Sequence, residues 1–166
     1  MEVRMIIIVC TDDPKLEVIA KGSSESNPEV YGKYYKVFGT IPKLGKHENL
    51  FIIAHGAYKG DDRNPVIGDK RQAFYVNAVE LYLNIKRIFP VEYDGNVYVD
   101  ACESADHDEE TFSFIEALLT QIQVDHSDTD VYGRNGTASG LIPLPNARGW
   151  VKADLLGAKS ATTSYN

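Results

Sequence analysis

Three short apolar runs stand out along the chain, at residues 3–10, 50–54 and 96–101. Each run is nearly continuous rather than alternating, which is typical of strands covered on both faces inside a parallel sheet. Aromatic and β-branched residues at 31–40 predict a further strand, and the stretches at 129–132 and 149–156 predict two more. The pattern therefore predicts a sheet whose central strands are buried.

Two segments between these strands have apolar residues at helical spacing. Residues 77–89 are expected to form a helix, because Asn77 and Glu80 match a capping box and Pro90 ends the pattern. Residues 72–76 could extend this helix backwards. A second helix is predicted over 106–123, with an acidic first turn. Residues 15–20 indicate a short strand or a helical turn, and polar loops are expected at 21–28, 41–49, 58–71 and 133–145.

Strands that alternate with helices predict an α/β fold: a three-layer α/β/α sandwich with a mostly parallel central sheet. The chain has 166 residues and shows no internal repeat or linker. Its length suits one domain, which we expect over residues 1–157, with a polar tail at 158–166. In sheets of this kind, functional groups lie beyond the carboxyl ends of the strands.

Charge and composition narrow the functional classes. The chain has 17 Lys and Arg residues and 24 Asp and Glu residues, which gives a formal charge of −7. No cluster of basic residues is long enough to form a nucleic-acid-binding surface. No apolar run approaches a membrane span, and no export signal is visible. We therefore expect a soluble protein that binds neither nucleic acid nor membrane, cytoplasmic or part of a secreted effector, with an oligomeric state that the sequence leaves open.

Neither cysteine belongs to a metal-binding pattern. Cys10 and Cys102 are the two cysteines, and no CxxC pair is present, which excludes a zinc knuckle. The cluster at residues 106–108 is expected to be an acidic helix start rather than a metal site, because adjacent helical residues do not share a face. We predict no metal and no cofactor.

Two predicted strands end in residues that carry chemistry. One ends in His55-Gly56, and the other continues through Asp100 and Ala101 into Cys102. The histidine and the cysteine are 102 − 55 = 47 residues apart, which fits one crossover between parallel strands. An imidazole can activate a thiol as nucleophile, and the amides of Gly56 and Cys102 could donate to an oxyanion.

These strand ends resemble the caspase–legumain superfamily of cysteine peptidases (clan CD), in which one strand ends in His-Gly and a later one in Ala-Cys or Gly-Cys. Residues 100–104 are most similar to the legumain string Glu-Ala-Cys-Glu-Ser. The compact spacing also resembles the CHAT branch and the autoprocessing cysteine protease domains of bacterial toxins. The resemblance implies a caspase-like fold and an endopeptidase in which His55 is the catalytic histidine, Gly56 the oxyanion glycine and Cys102 the nucleophile.

The residues around the cysteine are expected to bind a peptide or protein substrate. Asp100 lies on the same side of its strand as Cys102 and should reach the wall of the adjacent pocket. Acidic neighbours such as Glu103 would draw basic peptides, Ser104 completes the motif, and Arg134 follows a predicted strand beside the cleft. If Asp100 pairs with a substrate Lys or Arg, the pocket is acidic; if it pairs with Arg134, the pocket suits Asn or a small apolar residue.

Two other functional classes stay open from the sequence. The chain could be an inactive caspase-like relative that binds proteins, in which case the thiol need not face a cleft. It could also be a small doubly wound α/β binding protein unrelated to peptidases. In that case the strands that carry His55 and Cys102 would lie far apart or antiparallel.

Overall fold

The computed structural model describes residues 3–60, 64–69, 74–107 and 111–155. The chain begins with a strand, two helices and a second strand; strands and helices then alternate less regularly. The elements in chain order are β1 (Met5–Ile8), α1 (Pro14–Ser26), α2 (Pro28–Tyr31), β2 (Lys33–Lys36), β3 (Leu50–Ile53), β4 (His55–Lys59), β5 (Pro65–Gly68), β6 (Tyr75–Val76), α3 (Ala78–Ile85) with a 3₁₀ turn at Lys86–Ile88, β7 (Val97–Asp100), α4 (Phe114–Asp125), β8 (Val131–Gly133) and β9 (Val151–Lys152).

A six-stranded sheet forms the centre of the protein, in the order β2-β1-β3-β7-β8-β9. The first five strands are parallel, and only β9 runs antiparallel to its neighbour. The three continuous apolar runs form β1, β3 and β7, which are adjacent at the centre. The predicted α/β fold with a mostly parallel sheet is therefore confirmed.

Alternate side chains of these strands enter two separate cores. Met5 and Ile7 of β1 pack in a core with residues of α3 and α4, whereas Ile6 and Ile8 pack in a second core with residues of α1 and α2. All four β1 side chains are fully buried. Strands apolar at every position are stable here because each sheet face buries its side chains against helices.

Helix α1 differs most from the sequence-based expectation. The pattern predicts only a short element at 15–20 and a polar loop at 21–28, but the helix runs without a break from Pro14 to Ser26. Asp13 caps it, accepting a hydrogen bond from the Leu16 amide at 3.2 Å, and proline favours the first helical position. Its loop-like serines serve tertiary contacts: the buried Ser23 hydroxyl accepts a hydrogen bond from the Ile142 amide.

The predicted loop at 58–71 is also wrong over its described residues. A second, three-stranded sheet of order β4-β5-β6 occupies this region, with antiparallel pairing throughout. Pro65 and Gly68 lie at the two ends of β5, whereas Gly56 lies inside β4, next to an irregularity in its pairing with β5. Tyr75–Val76 is a strand rather than a backward extension of the helix, and residues 70–73 lie outside the described part of the chain.

The two predicted helices are present, with one boundary corrected. The Asn77–Glu80 capping box of α3 forms as expected. Helix α4 begins at Phe114 rather than at residue 106, because Ser113 and Glu116 form a capping box that starts the helix there. Residues 108–110 and the predicted tail lie outside the described residues. Within the described ranges, no helix is long and apolar enough to cross a membrane.

Candidate active site

The strand register brings the ends of β3 and β7 to the same level. Leu50 pairs with Val97 and Ile53 with Asp100, a constant offset of 47 residues. The same offset, 102 − 55 = 47, separates His55 and Cys102. The chain stays in contact past the strand ends, where the Ala57 amide donates a hydrogen bond to the Cys102 carbonyl. The two strands that precede His55 and Cys102 are thus adjacent and parallel, rather than far apart or antiparallel.

His55 and Cys102 line one pocket of about 290 Å³ beyond the carboxyl edge of the sheet. Its walls come from α1, from the ends of β3 and β7, and from the loop after β8. The lining residues include Leu16, Ile19, Ile53, Asp100, Ala138 and Ser139. Cys102 as a residue is partly exposed, whereas Cys10 is buried.

The two thiols have opposite environments. The Cys102 Sγ lies against Ala138: it accepts a hydrogen bond from the Ala138 amide at 3.1 Å and lies 3.5 Å from the Ala138 carbonyl oxygen, to which it can donate. Cys10 is completely buried in the core beneath α1, and burial raises the pKa of its thiol to about 11. A buried, protonated thiol is a poor nucleophile, so Cys10 is the less suitable of the two cysteines for nucleophilic chemistry.

A carboxylate that the sequence analysis did not single out contacts the histidine. The Nε2 of His55 lies 3.0 Å from Oδ2 of Asp13, at ion-pair distance but without the alignment of a directed hydrogen bond. Asp13 is buried, and its other oxygen caps α1 through the Leu16 amide. The sequence signal was the Asp-Pro pair after β1, since a capping aspartate beyond a central strand lies at the functional edge of the sheet.

Asp100 reaches the pocket and pairs with Arg134. Its carboxylate accepts a hydrogen bond from Arg134 Nη1 at 3.0 Å, and both side chains are largely buried, at 8% and 16% exposed. Burial raises the pKa of Asp100 to about 6, although the guanidinium opposes this shift. The guanidinium also lies 5.6 Å from the Trp150 ring centroid. Of the two sequence-based alternatives, internal pairing is the one observed.

The remaining predicted site residues lie around the pocket rather than inside it. Glu103 is exposed and lines a separate depression beside Tyr58. Ser104 is fully buried, donating to the Val99 carbonyl and accepting from the Arg134 amide. The prediction that Ser104 binds substrate is therefore corrected: its hydroxyl joins β7 to the loop after β8 and is inaccessible.

Gly56 has a structural reason to be glycine. Its φ is +130°, and a Cβ at this position would lie 2.9 Å from the Val66 carbonyl oxygen. The residue is buried against β5, so a side chain would strain both its own backbone and the β4–β5 pairing. This requirement is independent of the predicted oxyanion role, which stays a prediction.

Metal ligation has no support among the residues described, since no group of three or more His, Cys, Asp or Glu side chains there could hold an ion. Comparisons of the chain with protein-family models, with curated proteins and with solved structures found no significant match.

Proposed function

We propose that the chain is a cysteine-dependent hydrolase, most specifically an endopeptidase, with Cys102 as nucleophile and His55 as general acid and base. One observation carries the proposal. The parallel β3–β7 register ends at the pair Ile53–Asp100, two residues before His55 and Cys102, and these two residues line one pocket, with Cys102 partly exposed. Parallel sheets place their functional groups at this edge.

Asp13 completes the machinery as the residue that orients the histidine. Its carboxylate lies 3.0 Å from Nε2 of His55, so in this proposal Nδ1 is the ring nitrogen that exchanges a proton with the thiol. A buried carboxylate beside an imidazole stabilises the imidazolium formed when the thiolate forms. The arrangement follows the logic of a nucleophile, a base and an orienting carboxylate.

The reaction proceeds through an acyl-enzyme. The Cys102 thiolate attacks the scissile carbonyl carbon, and the carbonyl electrons move to oxygen. The tetrahedral intermediate collapses, the C–N bond breaks, and the imidazolium of His55 protonates the leaving amine. Water, deprotonated by His55, then attacks the thioester and releases the acid and the free thiol. In this scheme the amides of Gly56 and Cys102 stabilise the oxyanion, as the resemblance to caspase-like enzymes implies.

We assign a three-layer, caspase-like α/β/α sandwich. It is supported by separate cores on the two faces of the central sheet and by the strand order, in which β3 and β7 are neighbours.

Pocket chemistry favours an uncharged substrate side chain before the cut. The Arg134 guanidinium already compensates the carboxylate of Asp100, so a substrate Lys or Arg would meet an occupied partner. Other lining residues, among them Leu16 and Ile19, are apolar. We therefore propose cleavage after Asn or a small to medium apolar residue, and not after Lys, Arg or Asp.

Digestion of a peptide library, with products sequenced by mass spectrometry, tests the function. The wild type and a Cys10→Ala control should cleave, whereas Cys102→Ala and His55→Ala should not. Loss of the thiol at a pocket surface leaves little cavity, so Cys102→Ala should fold normally. Equal cleavage by wild type and Cys102→Ala would contradict the proposal, and cleavage after Lys or Arg would contradict the pocket assignment.

A non-catalytic, protein-binding relative is the second candidate. It is favoured by the segment 137–140, which lines the pocket beside the thiol and engages Sγ through the Ala138 amide. A peptidyl electrophile separates the two candidates, because only an enzyme forms a stoichiometric covalent adduct at Cys102 that His55→Ala suppresses. Absence of both adduct and cleavage would establish the non-catalytic candidate.

A further inference from the structure

A second buried carboxylate lies close to the candidate site but does not line its pocket. Asp69 follows β5 and is completely buried. Its Oδ2 accepts a hydrogen bond from the Thr11 hydroxyl at 2.9 Å and lies 3.3 Å from the Thr11 amide nitrogen, which also donates to it. Burying a carboxylate is costly unless it is well hydrogen-bonded, so a contact of this kind is strong and directional.

The contact joins the two segments that carry the histidine and its carboxylate. Gly68, immediately before Asp69, pairs directly with His55 across the β4–β5 ladder. Thr11 lies two residues before Asp13 in the turn between β1 and α1. The Asp69–Thr11 contact therefore links the strand pair that holds His55 to the turn that presents Asp13.

We propose that Asp69 and Thr11 act as positioning residues that hold Asp13 against His55. This inference rests on the proposed hydrolase function. Thr11 itself is exposed, and Asp13 caps α1 through the Leu16 amide. The link to Asp69 restrains the turn from the side of the histidine. Small displacements of a catalytic pair reduce rates strongly, so a loose turn would slow thiol activation.

Thr11 offers a matched pair of variants. Thr11→Val removes the hydroxyl at nearly constant volume, whereas Thr11→Ser retains it. The measurement is the rate of Cys102 alkylation by iodoacetamide, followed by mass spectrometry on the full chain. We expect Thr11→Val to lower this rate roughly tenfold and Thr11→Ser to leave it within about twofold of the wild type. Asp69→Asn, which weakens the acceptor, should lower the rate as well. Labelling of the buried Cys10 in the same spectra reports any general opening of the fold.

A double-mutant cycle separates positioning from stability. If Thr11 acts through Asp13, Thr11→Val should have no further effect on alkylation in an Asp13→Asn background. The same loss in both backgrounds, or a loss matched by faster labelling of Cys10, would overturn the inference. The proposed function fails separately: if His55→Ala and Asp13→Asn both leave Cys102 alkylation unchanged, no histidine activates the thiol and the positioning role is overturned with it.

Discussion

Burial of Asp100 makes the stability of the protein depend on pH in a predictable direction. Its pKa is raised from 3.8 to about 6, chiefly by burial. Between these values the folded protein holds a proton that the unfolded chain releases. The free energy of unfolding should therefore fall as pH rises through this window, and the contribution of Asp100 should be constant above and below it.

The size of the effect follows from the shift. A difference of about two pKa units corresponds to ~3 kcal/mol, at ~1.4 kcal/mol per unit. The side chain is only 8% exposed, so solvent screens the effect little. Asn at position 100 cannot titrate but keeps an oxygen that can accept from Arg134. Relative to wild type, Asp100→Asn should therefore gain about 2.4 kcal/mol of this total between pH 4 and pH 7.

Urea denaturation of both proteins at several pH values measures this difference. Arg134→Met supplies a matched test, because the guanidinium holds the pKa of Asp100 down. Without the Arg134 guanidinium, the free energy of unfolding should continue to fall up to a higher pH than in the wild type. This difference should disappear when Asp100 is also replaced by Asn. Wild-type and Asp100→Asn curves that stay parallel from pH 4 to pH 7 would refute the assignment of a buried, titrating Asp100.

Three further predictions concern stability and are measured by chemical denaturation. Gly56→Ala should destabilise by ~1–3 kcal/mol, because it forces a side chain into a positive-φ position against the Val66 carbonyl; an unchanged midpoint would contradict the strain. Ser104→Ala should cost ~1–3 kcal/mol by leaving the Arg134 amide without its buried acceptor, and a neutral effect would show that the contact is dispensable. Ser113→Ala should cost ~1 kcal/mol through loss of the α4 cap, with Ser113→Asp as the variant that retains most of it.

The central strands were predictable because their signal is strong and local. A run such as 50–54, apolar at every position, fits the interior of a parallel sheet, and the capping box at Asn77 marks a helix start without tertiary context. The spacing between His55 and Cys102 likewise fits one crossover between neighbouring strands, which is the arrangement observed.

Elements that depend on distant partners were not predictable. The serines of α1 suggest a loop, yet Ser23 is buried against Ile142, which lies 119 residues away. The strands β4 and β5 contain Gly and Pro and become recognisable only once they pair. Local propensity gave the wrong result in both places because tertiary contacts outweigh it.

The candidate site, like the fold, was predictable from the sequence only in part. The thiol and the histidine were visible as strand-end residues, but the roles of Asp13 and Arg134 depend on loops whose paths the sequence does not reveal. Asp13 caps α1 and also contacts the imidazole of His55. Asp100 had two possible partners, a substrate Lys or Arg or the side chain of Arg134, and the folded arrangement shows the pair with Arg134.

Competitive alkylation of the two cysteines tests the central claim most directly. Native protein is treated with limiting iodoacetamide at pH 7.5, and modification of Cys102 and Cys10 is followed over time in the wild type and in His55→Ala. The account predicts that Cys102 reacts much faster than the buried Cys10 and that His55→Ala removes most of this advantage. Equal labelling of the two thiols, or a Cys102 rate that does not depend on His55, would contradict it.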